Sequence, residues 1–570
     1  MRVERARAHL GWAERDLVAR RHAGGVSLAL AAPCDQLFVA TEVNEWALCA
    51  TFEELGREPE GAALLGYDYD LAHELAAAAL ANAADPASVI APVLGEAAAF
   101  ARLERLAAQE ARPLLRSLLA AAGARRLPHV LDETAVTLGA GARGRSYALD
   151  ALPDVAGVPW GALGDIPTAL VTGSNGKTTT VRLLAACARA HGWRAGLNCT
   201  DGVFVDDEAL ATGDYSGPAG MRMVLREPRV EAAVLETARG GILRRGIAAS
   251  RAHAAVVTNV SSDHFGEYGI YDLDGLADVK LIVAALVDRD GLLVLNADDA
   301  LLRAKAGGLE RRFGLRPPLG WFALDADLPT LRDHRTRGGA TCGVRDGRLR
   351  LCYRGVEQDL GSVAAMPLTV EGSATYNTAN LAAAALAAAA LGIAATTIAT
   401  VFGRFGARSA DNPGRMMRFD VGGVRVLMDY AHNPAGLRGL LEVAARLRGG
   451  SGRLGLLLGH AGNRQDADIE ELARVAALFR PDLVVVKESE AHLRGRAPGE
   501  VPRIIHAALL RAGLPEAALA MRMSEAEAAR CALDWARPDD VLVLPVHSRS
   551  ARAAVLAMLE RPATGGACGV

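Results

Sequence analysis

Residues 168–192 read TALVTGSNGKTTTVRLLAACARAHG, and this stretch decides the fold. TALVT is an apolar run, GSNG is a glycine-rich turn, and KTTTVRLLAACARAHG has the spacing of a helix. A strand feeding a helix through such a turn is a phosphate-binding unit of parallel α/β sheets. Gly173 and Gly176, with Ser174 and Asn175 between them, free the backbone to aim successive N–H groups at phosphate oxygens. Lys177 supplies a mobile positive charge, and the helix opening there adds its dipole. Thr178, followed by Thr179, places a hydroxyl where a phosphate-bound magnesium would sit. Position 171 is Val, so the turn is a shorter relative of the GxxxxGK[ST] pattern.

Working outward, EAAVLE (231–236), AAVVTNV (254–260) and GLLVLN (291–296) read as further apolar strands, some of them separated by helical segments. That succession predicts a largely parallel sheet covered by helices. Residues 300–370 are richer in strand signals, and NTANLAAAALAAAALG (377–392) predicts a long helix. A second succession starts near Gly403, with strands at VRVLMDYA (424–431), RLGLLLG (453–459), DLVVVKE (482–488) and DDVLVLP (539–545) alternating with helices. The expected fold class is α/β in three parts. An N-terminal α/β module covers 1–165, a central phosphate-loop ATPase domain 166–404, and a C-terminal Rossmann-like domain 405–570. In the first part, VSLALAA and DQLFVAT are expected strands, while ALLGYDYDLAHELAAAALANA and GEAAAFARLERLAAQEARPLLRSLLAAAGA are expected helical runs. The last residues, PATGGACGV, are an expected frayed tail.

The chain has 570 residues, 51% hydrophobic and 23% charged, which excludes a disordered chain. With 63 basic and 66 acidic residues, the net charge of −3 argues against nucleic-acid or anionic-membrane binding. No apolar run reaches the roughly 20 residues that span a bilayer. The N-terminus, MRVERARAHLGWAERDLVARR, is charged and helical in pattern, unlike a signal peptide. Eight cysteines without a CxxC pair fit reduced thiols in a cytoplasmic protein. Of the 60 glycines, some sit in the turn above; the Ala runs fall on helices and look compositional.

The remaining chemistry-bearing residues follow strand ends. Glu236 closes AAVLE, where a carboxylate can hold magnesium beside Thr178. Asp263 and His264 follow VVTNV, and Lys280 lies sixteen positions beyond His264 on a helical segment. Taken singly, these are a solvated turn acid, a polar loop and a surface charge. Together, downstream of a phosphate loop, they form a constellation.

These residues resemble the ATP-dependent Mur ligase superfamily. Its TGTNGKT loop is similar to Thr172–Thr178, with Ser174 replacing Thr; its magnesium-site Glu matches Glu236; and its TN…DH segment matches Thr258, Asn259, Asp263 and His264. The resemblance implies that Lys280 is carbamylated and, with Glu236, Thr178 and His264, serves a metal site. It implies that Asn296 lies on the adenine side. Pro413-Gly414-Arg415-Met416 resembles the PGRM element, in which Arg reaches ATP phosphates. Asp429-Tyr430-Ala431-His432-Asn433-Pro434 resembles the DYAHNP element, where Asp contacts ribose and His lies near the nucleotide. Tyr376–Asn380 resembles the segment before the family's Ala-rich helix.

Within the superfamily, the likeness is greatest to the Mur-ligase portion of cyanophycin synthetase, carried by Thr200-Asp201-Gly202, LETARGGIL (235–243), Asp263-His264-Phe265-Gly266 and Arg494-Gly495-Arg496. About 165 residues precede the loop, which is too few for that enzyme's N-terminal domain plus a complete ATP-grasp module. The resemblance implies an ATP- and Mg2+-using amide ligase working through an acyl phosphate. Its partners would be a small-molecule or peptide carboxylate and an amino-acid amine, with a basic amino acid on an aspartyl carboxylate as the implied pair. Lys177, His264, Lys280 and Arg415 would be catalytic. Arg239, Arg494 and Arg496 are substrate candidates, and at Arg239 a structural ion pair competes. Relatives include monomers and oligomers, which leaves a homo-oligomer open. The alternative is a nucleotide-binding regulatory or scaffold protein with weak or no ATPase activity.

Overall fold

The computed structural model describes residues 1–12, 16–22, 25–54, 95–262, 265, 267–314, 316–462, 464–488 and 493–560. They fall into two compact units. The first is Met1–Leu138 with Ser146–Leu163 and Gly266–Tyr271; the second is Gly139–Arg145 with Gly164–Phe265 and Asp272–Val570. Among the described residues, no helix is long and apolar enough to cross a membrane.

The first unit opens on α1 (Arg2–His9) and an antiparallel hairpin of β1 (Leu17–His22) and β2 (Gly25–Leu30). Helices α2 (Leu37–Glu54), α3 (Glu96–Glu110) and α4 (Pro113–Ala124) follow, and then β3 (His129–Leu131), β4 (Ala135–Leu138) and β5 (Arg145–Ala148). Two expectations need correction. DQLFVAT (35–41) is not a strand but the start of α2. Val39, Val43, Trp46 and Ala47 are buried at helical spacing, and the Glu110 carboxylate accepts from the N–H groups of Phe38 (2.8 Å) and Val39 (3.0 Å). The charged N-terminal run is helical only as far as His9 and becomes extended at Leu17. The run over 95–124 breaks before Pro113, as proline dictates. The helical run expected at 63–83 and the tail at 561–570 lie outside the described residues.

The second unit holds two sheets. The larger contains β6 (Thr168–Thr172), β7 (Ala195–Cys199), β8 (Gly202–Val205), β9 (Glu208–Thr212), β10 (Ala232–Glu236), β11 (Ala252–Val257), β12 (Val287–Asn296), β13 (Leu319–Asp325), β14 (Ala340–Arg345), β15 (Arg348–Tyr353) and β16 (Val356–Ser362). Their order is β16-β15-β14-β13-β12-β11-β6-β10-β7-β8-β9. From β14 through β7 every pairing is parallel. The margins are antiparallel hairpins. The phosphate-loop strand β6 is thus central and buried along its whole length, which is why it reads as a continuous apolar run. Because β6, β10, β11 and β12 are parallel, their carboxyl ends share one edge of the sheet.

Helix α5 (Lys177–His191) follows β6; α6 (Arg239–Arg245) and α7 (Leu273–Lys280) follow β10 and β11. Helix α8 (Thr375–Ala390) corrects the compositional reading of the Ala runs. Ala382–Ala385, Ala387 and Ala388 are all fully buried, between the sheet and α5. A helix covered on all sides needs small side chains to approach both neighbours closely.

The second sheet is made of β17 (Met417–Val421), β18 (Val424–Asp429), β19 (Leu454–Leu458), β20 (Leu483–Lys487), β21 (Leu519–Arg522) and β22 (Val541–Pro545). Its order is β17-β18-β22-β19-β20-β21, parallel except at β17. Helices α9 (Pro434–Leu447), α10 (Asp466–Leu478), α11 (Glu500–Arg511), α12 (Glu525–Trp535) and α13 (Arg549–Leu559) alternate with the strands. The four interior strands are the four expected ones. Strands β17 and β21 escape sequence reading because they are half-exposed edges without an apolar run. At the other end of the unit, residues 139–145 join it and not the N-terminal part, with Ala142 N–H donating to Val230 O at 2.7 Å.

Candidate active site

The loop between β6 and α5 is locked by the segment after β11. Asn175 N–H donates to Asn259 Oδ1 (3.0 Å), Asn259 Nδ2 donates back to Asn175 O (3.1 Å), and Ser174 N–H donates to Asn259 O (3.0 Å). Thr258 Oγ1 donates to Asn175 O at 2.6 Å. Both glycines are sterically required. A Cβ on Gly173 (φ +149°) would fall 1.8 Å from Thr258 Oγ1, and one on Gly176 (φ +85°) would fall 2.2 Å from Asn380 Oδ1. Lys177 Nζ donates to Gly173 O and Ser174 O, both at 3.1 Å, so the ammonium lies over its own loop. Thr179 Oγ1 accepts from Asn412 Nδ2 at 3.2 Å. Asn296, at the end of β12, donates from Nδ2 to Thr258 O at 2.9 Å and so braces the loop from its far side.

Glu236 ends β10 and is fully buried. Its Oε2 accepts from Thr178 Oγ1 at 2.7 Å, whereas Oε1 has no hydrogen-bond partner among the described residues. Burial raises the carboxyl above its ordinary range, against the pull of Lys177, Thr178 and Arg415. Thr200, which sequence reading passed over as a site residue, lies 3.3 Å from Thr178 by their hydroxyl oxygens. It accepts from Arg415 Nη2 at 3.0 Å.

Arg415 belongs to the segment entering β17, and its guanidinium sits 4.1 Å from the centre of the Tyr430 ring. Asp429, at the end of β18, accepts from Met416 N–H at 2.7 Å; burial raises its pKa, opposed by Arg415 and by three backbone donors. Asn433 Nδ2 donates to Asn175 Oδ1 at 3.0 Å, tying the second sheet's loop to the phosphate loop. His432 Nδ1 lies 3.2 Å from Tyr430 O. Thr178, Glu236, Lys177, Arg415 and Thr200 are therefore one cluster, drawn from both sheets.

Other candidates stand elsewhere or beyond description. Lys280 is buried at the end of α7. Asp263 and His264 lie outside the described residues. Arg239 is buried at the start of α6, and Arg494 is exposed with φ 45°. Arg496 is engaged within its own domain, donating to Gly462 O, Arg464 O, Asp466 and Glu500.

A second buried cluster lies behind the Asp429–Pro434 loop. Lys487 at the end of β20 pairs with Glu525, and Lys487 Nζ is 3.4 Å from His547 Nδ1. His547 Nε2 lies 3.1 Å from Ala431 O, and Glu525 accepts the N–H groups of His547 (3.0 Å) and Ser548 (2.8 Å). Glu525 is held down at about 2 despite its burial, because Lys487 and His547 face it. Burial drives Lys487 down, and burial together with Lys487 drives His547 well below its ordinary value. No local motif marks these residues; Lys487, a charge closing the apolar run LVVV, is the cluster's sequence signal.

Residues 171–315 match the Mur ligase middle domain, and residues 414–545 match the Mur ligase, glutamate ligase domain. The chain is 36% identical over 386 residues to cyanophycin synthetase of Synechocystis sp., covering 68% of this chain and 43% of the relative. It is 37% identical over 341 residues to cyanophycin synthetase of Geminocystis herdmanii, covering 60% of this chain and 38% of the relative. The chain thus spans less than half the length of these relatives. It is also 30% identical over 388 residues to the UDP-N-acetylmuramoyl-L-alanyl-D-glutamate–2,6-diaminopimelate ligase of Xanthomonas campestris pv. campestris, covering 66% of this chain and 70% of that enzyme. With both domain models matched in order around one shared cluster, the chain belongs to the Mur ligase family.

Proposed function

We propose that this chain is an ATP-dependent amide ligase that joins an amino-acid amine to a carboxylate through an acyl phosphate. Likeness to the cyanophycin synthetases favours a basic amino acid joined to an aspartyl carboxylate. The observation carrying the proposal is the meeting of Lys177, Thr178 and Glu236 with Arg415, which arrives from the second sheet through Thr200.

The acceptor carboxylate attacks the γ-phosphorus of ATP, and the bond to the β-phosphate oxygen breaks, giving acyl phosphate and ADP. The amine then attacks the acyl carbon, loses a proton, and phosphate leaves. Two anions must meet in the first step, so cationic groups must surround the transferred phosphoryl. Lys177 neutralises from the phosphate loop and Arg415 from the segment entering β17. The buried, unpartnered Oε1 of Glu236 and the Thr178 hydroxyl are hard oxygen donors that fit Mg2+, which when bound supplies charge neutralisation on the phosphates. Buried Lys280 is the residue we assign to carbamylation, which converts a cation into a carboxylate-like ligand, and His264 is assigned to the same metal site. Asn296, Asp429 and His432 are assigned to the nucleoside side. Arg239 and Arg494 are assigned to the acceptor, with Arg496 ordering the loop that carries Arg494. Residues 1–165 are assigned to substrate binding. ATP dependence and the reduced thiols of Cys187, Cys199, Cys342 and Cys352 favour a cytoplasmic setting.

The test is phosphate release across an array of amino acids and Asp-containing peptides with ATP and Mg2+. Release that needs both a carboxylate and an amine supports the ligase. ATP binding without turnover for any pair overturns it in favour of a nucleotide-binding regulatory protein.

A further inference from the structure

Asp201 lies just beyond β7 with its carboxylate almost fully buried, and it holds two guanidinium groups from opposite ends of the second unit. Its Oδ2 accepts from Arg182 Nη2 at 2.6 Å, and its Oδ1 accepts from Arg552 Nη1 at 2.8 Å. Arg182 stands on α5, five residues after Lys177; Arg552 stands on α13, the last helix. Both arginines are nearly buried too, with side-chain exposures of 9% and 10%. Water therefore cannot replace the carboxylate at low cost.

The same two arginines grip the segment that carries Arg415. Arg182 Nη1 donates to Pro413 O at 2.8 Å and to Asn412 Oδ1 at 3.4 Å. Arg552 lies against Gly414, where a Cβ would fall 2.6 Å from the guanidinium carbon. Arg552 is also 5.9 Å from the Tyr430 ring on which Arg415 rests. Meanwhile the neighbour of Asp201 in the chain, Thr200, accepts from Arg415 itself. One carboxylate thus fixes the Thr200 side of the contact and, through two arginines, the 412–414 stretch that leads into Arg415.

We propose that Asp201 is the positioning residue for Arg415, clasping Arg182 and Arg552 so that the residue 412–415 segment presents its guanidinium to the phosphate loop. The proposal rests on the reading of Arg415 as a phosphate-facing cation. Without the Asp201 charge, two nearly buried guanidinium groups lose their shared counter-charge, and the segment they hold must move. A displacement of about 1 Å at a reacting group is enough for a rate loss on the order of 100-fold.

The experiment compares D201N and D201E with D540N. Asp540, just before β22, is itself buried and forms an ion pair with the part-exposed Arg453 in the second sheet's domain. Each variant is measured for kcat, KM for ATP, phosphate released per amide formed, and hydrogen exchange over residues 412–416. For D201N the expected result is a kcat loss of about 10- to 100-fold with KM for ATP within threefold. More phosphate should be released per amide, exchange over 412–416 should quicken, and D201E should recover part of the rate. D540N should change thermal stability and leave the phosphate-to-amide ratio and the 412–416 exchange alone. The exchange arm needs no turnover, so it stands even if the ligase reading fails. Unchanged 412–416 exchange in D201N, or D540N matching D201N in the ratio, overturns the positioning role.

Discussion

Thr178 Oγ1 donates a 2.7 Å hydrogen bond to Glu236 Oε2, and the other oxygen of that carboxylate is buried without a hydrogen bond among the described residues. The carboxylate is thus aimed and half-satisfied. E236Q keeps its shape and the Thr178 contact while removing its charge. Burial already disfavours the ionised form, so the thermal midpoint should stay level or rise. Phosphate release should fall at least about 100-fold. Parallel melting curves and assays check both halves, and a loss under threefold would remove Glu236 from the machinery.

Gly173 is pressed against Thr258, and the clash has two separable parts. G173A should destabilise by about 1–3 kcal/mol, because the left-handed φ and the 1.8 Å approach to Thr258 Oγ1 both count against a Cβ. Adding T258A removes the second part only. Denaturant unfolding of the two single variants and the double variant should show partial recovery, and a strictly additive cycle would mean the loop has moved away.

Lys280 is buried at the end of a helix, and the family resemblance assigns it the carbamate. K280A should lose nearly all activity, and formate, acetate or propionate should restore a fraction if a carbamate carboxylate is what is missing. Full activity in K280A, or no rescue by any short acid, counts against carbamylation.

The Lys487–Glu525–His547 cluster makes stability fall on acidification. His547 is held well below 6.5 in the folded chain, so the unfolded chain binds the extra proton first as pH drops below 6.5. The His547 share of stability is fully present above that value and is lost progressively as pH falls below it. Glu525, held at about 2, adds a further loss as pH falls from 4.5 towards that value. Unfolding by denaturant at pH 7.5 and 5.5 should show the first loss, and H547Q should flatten it. An equal slope in H547Q would place the effect on other groups.

The Ala-rich helix is a packing device. A385L forces a larger side chain into a fully buried position between sheet and helix, at a cost of about 1–3 kcal/mol or more. A stability change under 0.5 kcal/mol on unfolding would return that helix to the compositional reading.

Legibility followed the range of the interaction. The strand, turn and helix over 168–192 could be read directly, because glycine backbone freedom, apolar burial and helical spacing act over a few residues. The interior strands of both sheets were legible for the same reason: buried parallel strands are apolar on both faces. DQLFVAT misled because four apolar residues in a short window fit either period, and only the Glu110 cap and the downstream Trp46 decide for helix. The edge strands β17 and β21 left no signal since one side of each meets solvent.

By itself, then, the sequence determined the fold class, the phosphate loop and the strand-end positions of Glu236 and Asn296. It could name Arg415 from resemblance but not say what Arg415 touches. Tertiary structure alone decided that Arg415 meets Thr200, 215 positions away, and that Asp201 meets Arg552, 351 positions away. The reason is physical. Local periodicity records which face of an element is buried, whereas an ion pair between distant elements depends on how two sheets dock, and no residue near either partner encodes that distance.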